Sequence, residues 1–398
     1  MDNLRLADKK ARKGKSWQPG VIQFSKDSEA NLFLLHESLL NRNYRTSDYT
    51  IFKVYEPKER EVHRLPYFPD RITHHAIMNV MEPIFISTFT ADTYSCIKGK
   101  GIHGASYAMR DALKDKPASK YCLKLDVRKF YPTIDHTILK SLLRRKIKDN
   151  DLLWLMDEII DSATGLPIGN YLSQYFANFY LTYFDHWLKE DLKVQYYYRY
   201  CDDLVFLAPN KPYLHELCDK VIKYLSDRLK LSVKPNYSVF PSSLGINFVG
   251  YVHYPGYTLL RPSIKRSMAR AVSARRHKSI SAYYGWAKHC NSKNLLKKLS
   301  MTKFSELGIK PVRNSLEGNR IDFMDILNKE IKIHRFKIGP SKFQQKGDRL
   351  DLQIEVDGQT RVTWCSSGVL MKTIQQVPED KFPITTTIIK QDKAFIFT

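Results

Sequence analysis

The stretch "YYYRYCDDLVFLA" at residues 196–208 places Asp202 and Asp203 side by side within a run of aromatic and branched apolar residues. Such runs form strands, and strand interiors normally exclude adjacent acids. A hairpin satisfies both facts: one strand ends near Tyr200, a second starts near Leu204, and the acids occupy the tip. Turn tips tolerate aspartate, so the pair alone is explained equally well by the turn and by chemistry. A third acid narrows the choice. "YCLKLDVRKFYPTID" reads as a buried strand ending near Asp126, a turn, and a helix capped by Asp135. Neighbouring strands can bring Asp126 beside Asp202 and Asp203.

Three carboxylates that close repel one another in a partly desolvated site. Divalent cations remove that cost. Magnesium takes carboxylate and phosphate oxygens together, and two ions can clamp both ends of an in-line displacement. The chemistry implied is phosphoryl transfer.

Charge points to the partner. Lys and Arg total 64 against 41 Asp and Glu, a formal net charge of +23, which suits a polyanion. Between Arg261 and Ser300 there are eleven basic residues and no acid, interleaved with Tyr283, Tyr284 and Trp286. A solvated helix face usually mixes signs; a single-sign stretch with aromatics suits a nucleic-acid backbone. The six cysteines are scattered without a CxxC spacing, so neither a zinc site nor a disulfide framework is expected. No signal-peptide core or spanning apolar run appears, and a cytoplasmic location without membrane association is the expectation.

The remaining chain supplies context. A basic head and a helix around "EANLFLLHESLL" open it, and Asp70 is placed to cap a helix from Arg71. "IKGKGIHGASYAMRDAL" reads as a Gly/Lys loop feeding a helix. In the helix after "GLPIGNYLSQ", Leu172, Phe176, Phe179, Tyr183 and Trp187 form a buried stripe, leaving a small, polar face with Gly169 and Ser173. "INFVGYVHYPG" reads as a strand in which Gly250 permits close approach. Toward the end, "RLDLQIEVDGQTRVTW" alternates as a hairpin around Asp357-Gly358, and "GVLMKTIQQV" and "ITTTIIKQDKAFIFT" complete a ββαββ pattern.

Together these motifs resemble reverse transcriptases. "YCDD" is similar to their YxDD box, "LDVRKFYPTID" to the strand with the first catalytic aspartate, "GLPIGNYLSQ" to the motif after the fingers, and "INFVGY" to the primer grip. The resemblance covers roughly residues 50–300. Within that superfamily, which includes group II intron and retron enzymes, Ile168 in "LPIGNYLSQ" and the stretch "YYGWAKHCNSKNLLKKL" resemble the class from diversity-generating retroelements. The NAxxH and VTG signatures of retron enzymes are absent from the sequence.

The resemblance implies an α+β fold, a right-hand polymerase with a small C-terminal α+β domain. Its parts would be an N-terminal basic, helical extension (1–45), fingers (46–122), a palm with an antiparallel sheet (123–255), a helical thumb (256–310) and a ββαββ accessory domain (311–398). It implies RNA-directed DNA synthesis that is error-prone opposite template adenines, with two Mg²⁺ ions and Mn²⁺ as a substitute. Template RNA, an RNA–DNA hybrid, deoxynucleotides and a small basic oligomeric accessory protein are the implied partners. The rival readings are a phage-defence or retron-like reverse transcriptase and a non-catalytic nucleic-acid-binding scaffold.

Residue roles carry over motif by motif. Asp126, Asp202 and Asp203 are the catalytic acids, and with Val127 they hold the metals, Asp126 and Asp202 most directly. Tyr131 stacks under the incoming sugar. Arg64, Lys58, Ile168, Gly169, Gln174 and Lys234 line the nucleotide site, with Lys234 a general acid for pyrophosphate. Gly250 and Tyr251 form the primer grip. Lys98, Lys100, Arg270 and Arg275 contact template or phosphate. An isoleucine at 168 can neither donate nor accept the hydrogen bonds of a glutamine amide, which lowers discrimination between right and wrong base pairs.

Overall fold

Between residues 50 and 64 the chain folds back on itself as two exposed strands, β1 (Thr50–Val54) and β2 (Arg60–Arg64), antiparallel with Thr50 opposite Arg64. Neither strand has a buried face, so the alternation that reveals strands in a sequence is absent. The computed structural model describes residues 1–55, 59–299, 316–340, 348–392 and 394–398, in two units, Met1–Met301 and Thr302–Thr398. Lys58 lies outside the described residues.

In the first unit, helix Ile72–Thr88 packs with Asp2–Ala11 over a shared apolar core. Asp70 does not cap it, contrary to the sequence reading. Its buried carboxylate instead accepts from the Tyr44 hydroxyl at 2.8 Å and the Ser47 amide at 3.1 Å. Asp135 does cap helix His136–Lys146, accepting from the Ile138 amide.

The central sheet contains β3 (Tyr121–Asp126), β4 (Tyr196–Tyr200), β5 (Asp203–Ala208) and β6 (Ser238–Pro241), antiparallel in the order β4-β5-β3-β6. Period-two alternation assigns its faces. Leu123, Leu125, Leu204 and Phe206 belong to a core shared with Phe176, Phe179 and Phe184 of the helical layer. Cys122, Val205 and Leu207 belong to a second core with Tyr94, Met109 and Tyr251. By the same alternation, Lys124, Asp126 and Asp203 fall on this second face, at the end where the apolar residues stop.

"INFVGYVHYPG" is not one strand. It is a tight hairpin of β7 (Ile246–Phe248) and β8 (Tyr251–Tyr254), followed by β9 (Tyr257–Leu260). Val249 and Gly250 form its turn at φ 43° and 85°. Left-handed backbone at both positions is what a two-residue hairpin turn of this hand requires. The basic stretch after it is helical, as Pro262–Ser273, His277–Ala287 and Lys293–Lys298.

In the second unit, β10 (Asn319–Arg320), β11 (Glu330–Pro340), β12 (Asp348–Val356), β13 (Gln359–Cys365), β14 (Ile384–Gln391) and β15 (Ala394–Phe397) form one sheet, ordered β10-β13-β12-β11-β14-β15. Leu350, Leu352 and Ile354 face Leu370 and Ile374 of helix Gly368–Ile374 in a separate core. The hairpin, helix and final strand pair match the sequence reading. Strands β10 and β11 were not anticipated, and β11 is masked by a bulge between Ile333 and Arg335 that breaks its alternation. Among the described residues, no helix is long and apolar enough to cross a membrane.

Candidate active site

Asp126 and Asp203 are direct cross-strand partners, the last pair of the β3–β5 ladder. Opposite residues of an antiparallel pair project from the same face about 5 Å apart. Asp203 therefore opens β5, one residue earlier than the sequence reading, and only Cys201 and Asp202 form the turn. Cys201 takes the left-handed conformation there, φ 52°. The Val127 amide donates to the Asp202 carbonyl at 3.1 Å, and the Lys234 amide donates to the Asp126 carbonyl at 2.9 Å. These bonds fix the acid-bearing backbone from both sides.

Two lysines face the acids. Lys234 forms an ion pair with Asp126 Oδ1. Lys124 donates to Asp203 Oδ2 at 3.1 Å and to the Asn247 carbonyl at 2.5 Å. Burial pushes the Asp202 carboxyl up, the Asp126 charge adds to that, and Lys234 and Arg60 oppose it. Burial also raises Asp203, with Lys124 opposing. Lys124 and Arg60 were not singled out from sequence. Lysine two residues before Asp126 was the available signal, since a strand puts both on one face.

Asp126 Oδ1 and Asp203 Oδ1 are buried and receive no hydrogen bond of good geometry. Among the described residues, no three His, Cys, Asp or Glu side chains converge as a metal-holding cluster. The acids are instead held by the two lysines. Hard carboxylate oxygens whose counter-charges are two displaceable lysine ammonium groups are the donor type that magnesium takes, so these residues fit such an ion by chemistry.

The other candidate site residues sit on or beside turns and loops of the same unit. Tyr131 begins a short 3-10 turn, half-buried, and its hydroxyl reaches the Cys201 thiol close to Asp202; burial and these neighbours push it up. The Tyr131 carbonyl accepts from the Leu166 amide at 2.8 Å, and the Ile168 carbonyl accepts from the His63 amide at 2.7 Å. The loop bearing Ile168 is thus pinned between the Tyr131 turn and β2. Gly169 has φ 120°, and a Cβ there would stand 2.5 Å from the His63 carbonyl oxygen. Gly250 is as confined: a Cβ would meet the Trp286 ring at 2.3 Å. Tyr251 is buried, its hydroxyl 3.1 Å from both His103 Nδ1 and the Trp286 carbonyl.

The other residues proposed from sequence are mostly exposed, and Lys100 has partners in its own loop. Arg64 is exposed at the far end of β2, opposite Thr50, whereas Arg60 is the β2 cation that acts on Asp202. The Lys100 ammonium donates to the carbonyls of Ala91 at 2.8 Å and Thr93 at 3.2 Å, a role within its own loop. Lys98, Gln174, Arg270 and Arg275 are exposed.

Residues 56–253 match the family model described as "Reverse transcriptase (RNA-dependent DNA polymerase)", and residues 317–398 match one described as "Domain of unknown function (DUF8468)". The chain is 26% identical over 175 residues to Protein YkfC of Escherichia coli (strain K12), covering 40% of this chain and 45% of that protein. It is 25% identical over 162 residues to nuclear intron maturase 4, mitochondrial, of Arabidopsis thaliana, covering 38% of this chain and 20% of that protein. The chain thus spans less than half the length of either curated relative. A solved structure, apo telomerase from Candida tropicalis truncated from its C-terminal domain, aligns over 54% of this chain and 55% of that one, at 13% identity and a TM-score of 0.43.

Proposed function

We propose that the reverse transcriptase domain formed by residues 56–253 of this chain polymerises DNA on an RNA template. The observation that carries this reading is the pairing of Asp126 with Asp203, with Asp202 on the adjoining turn. Asp126, Asp202 and the Val127 backbone would hold paired divalent cations, magnesium with manganese as a substitute, and Asp203 would complete the anionic site. Bound there, such ions neutralise charge on the transferred phosphate and align the attacking and leaving oxygens.

The chain's own groups do the rest. The confined turn at Gly250, next to Tyr251, steadies the primer end. Tyr131 presents a ring beneath the incoming sugar. Lys234, once separated from Asp126, would give a proton to departing pyrophosphate. Arg60 adds positive potential for the triphosphate, with Arg64 further along the same strand. The basic helices between Pro262 and Lys298 suit an RNA–DNA hybrid, an attraction that weakens steeply with salt.

The finer reading is error-prone cDNA synthesis in a diversity-generating retroelement, served by a structured template RNA and a small basic accessory protein. Ile168 supports it: its backbone is fixed by His63 while its side chain brings no polar check to the nascent pair. Sequencing the cDNA made from a defined RNA tests this. Substitutions concentrated opposite adenines, reduced in Ile168→Gln, agree with it. Even, low error or a template-free product assigns the chain to a retron-like or defence role instead.

A further inference from the structure

Two cysteines meet beside the candidate active site through a parallel backbone contact outside the sheet ladders. Thr93 bridges Arg199 in parallel; the Arg199 amide donates to the Asp92 carbonyl at 3.1 Å, and the Tyr94 amide to the Arg199 carbonyl at 3.2 Å. Two residues further along the second run is Cys201, and three further along the first is Cys96. This contact brings the two cysteine-bearing segments together beside Asp202, and a disulfide between them requires a Cα separation of roughly 4.4–6.8 Å. The two thiols are within hydrogen-bonding reach of each other, and both residues are partly exposed. Both also hold left-handed backbone, φ 58° at Cys96 and 52° at Cys201, a conformation uncommon for residues with a Cβ. Cys122, Cys218 and Cys365 are buried by comparison.

We propose that Cys96 and Cys201 are a reversible oxidation site, joined as a disulfide when the protein meets a peroxide. One thiol, as its thiolate, attacks a peroxide oxygen. The O–O bond breaks, an S–OH bond forms, and the departing hydroxide is protonated to water. The second thiol then attacks that sulfur; the S–S bond forms, the S–O bond breaks, and hydroxide leaves with the proton as a second water. Two thiols are oxidised by two electrons, and one peroxide is reduced to two waters. Reduction by a dithiol reverses the reaction.

The consequence for catalysis rests on the polymerase reading. Cys201 adjoins Asp202 in the hairpin turn, and its thiol is the group that the Tyr131 hydroxyl reaches. A disulfide would fasten that turn to the segment before helix Gly101–Ala112 and withdraw the thiol from Tyr131. Oxidation therefore slows nucleotide incorporation.

The test uses the full chain, reduced, desalted and exposed to hydrogen peroxide. Its readouts are non-reducing peptide mass spectrometry and incorporation of labelled deoxynucleotide on an RNA template. The expected results are a linked Cys96–Cys201 peptide and an incorporation rate at least tenfold lower that dithiothreitol restores. Cys96→Ser should match the untreated wild type and retain at least half its rate after peroxide. Absence of the linked peptide overturns the proposal, as does a Cys96→Ser chain that is equally sensitive. A linked peptide in a chain that incorporates nothing upholds the disulfide and refutes the polymerase reading.

Discussion

Lys124 ties Asp203 to the strand after the central sheet: one ammonium reaches the Asp203 carboxylate at 3.1 Å and the Asn247 carbonyl at 2.5 Å. The acid at the start of β5 and the β7–β8 hairpin are therefore held by a common group. Lys124→Met removes the tie and leaves Asp203 with reduced compensation. The expected cost is about 1–3 kcal/mol of stability, read as a lower thermal midpoint. Incorporation falls about tenfold, the change expected for roughly 1.4 kcal/mol of lost transition-state stabilisation, with KM for primer rising. An unchanged primer KM removes Lys124 from this role.

A second ion pair supports the β4–β5 hairpin, from the face opposite to Asp203. Arg199 and Asp185 are fully buried, 2.5 Å apart, and share hydrogen bonds with Tyr197 and Asn178. Arg199→Met leaves the Asp185 charge buried without its partner, at about 3–5 kcal/mol. Chemical denaturation measures the loss. Arg199→Met combined with Asp185→Leu should recover much of it, because the orphaned charge is gone.

Tyr131 is half-buried, with its backbone bonded to Leu166 and its hydroxyl against the Cys201 turn. Replacing the ring by a methyl group opens space beneath the incoming sugar. Tyr131→Ala is expected to incorporate ribonucleotides at a rate approaching that of deoxynucleotides. Unaltered sugar discrimination in single-nucleotide kinetics would contradict the role.

Acid should weaken the first unit through His74. Burial, reinforced by Arg71 and His75, lowers this side chain from 6.5 to about 3, and its Nε2 has no hydrogen-bond partner. It stays neutral in the fold but takes up a proton when unfolded. The stability it preserves is complete above pH 6.5 and is lost as pH falls from there toward 3. The loss is about 2 kcal/mol at pH 5. Thermal midpoints from pH 7 to 5 should fall for the wild type and less steeply for His74→Leu.

Much of the site was legible because its residues obey short-range rules. The run ending in Asp126 is apolar enough to read as a buried strand, Asp135 announces the next helix, and two acids interrupting an apolar run demand a turn. What sequence could not supply was pairing at a distance. Asp185 is fourteen residues from Arg199, and nothing local marks them as partners. Lys124 reads as an ordinary strand residue until β5 and β7 lie beside it. The β1–β2 hairpin was hidden by having no buried face, and Arg60 with it. Asp70 looked like a cap because its position fits one, and only Tyr44 and Ser47 reveal its other use.

The most direct measurement is incorporation of labelled deoxynucleotide on a primed RNA by the wild-type chain and by Asp202→Ala, with divalent cation present. The account predicts RNA-templated extension by the wild type and a loss of at least a thousandfold in the variant, with its thermal midpoint preserved or raised by relief of repulsion at Asp126. Extension by Asp202→Ala at the wild-type rate, or none by either folded chain, would contradict it.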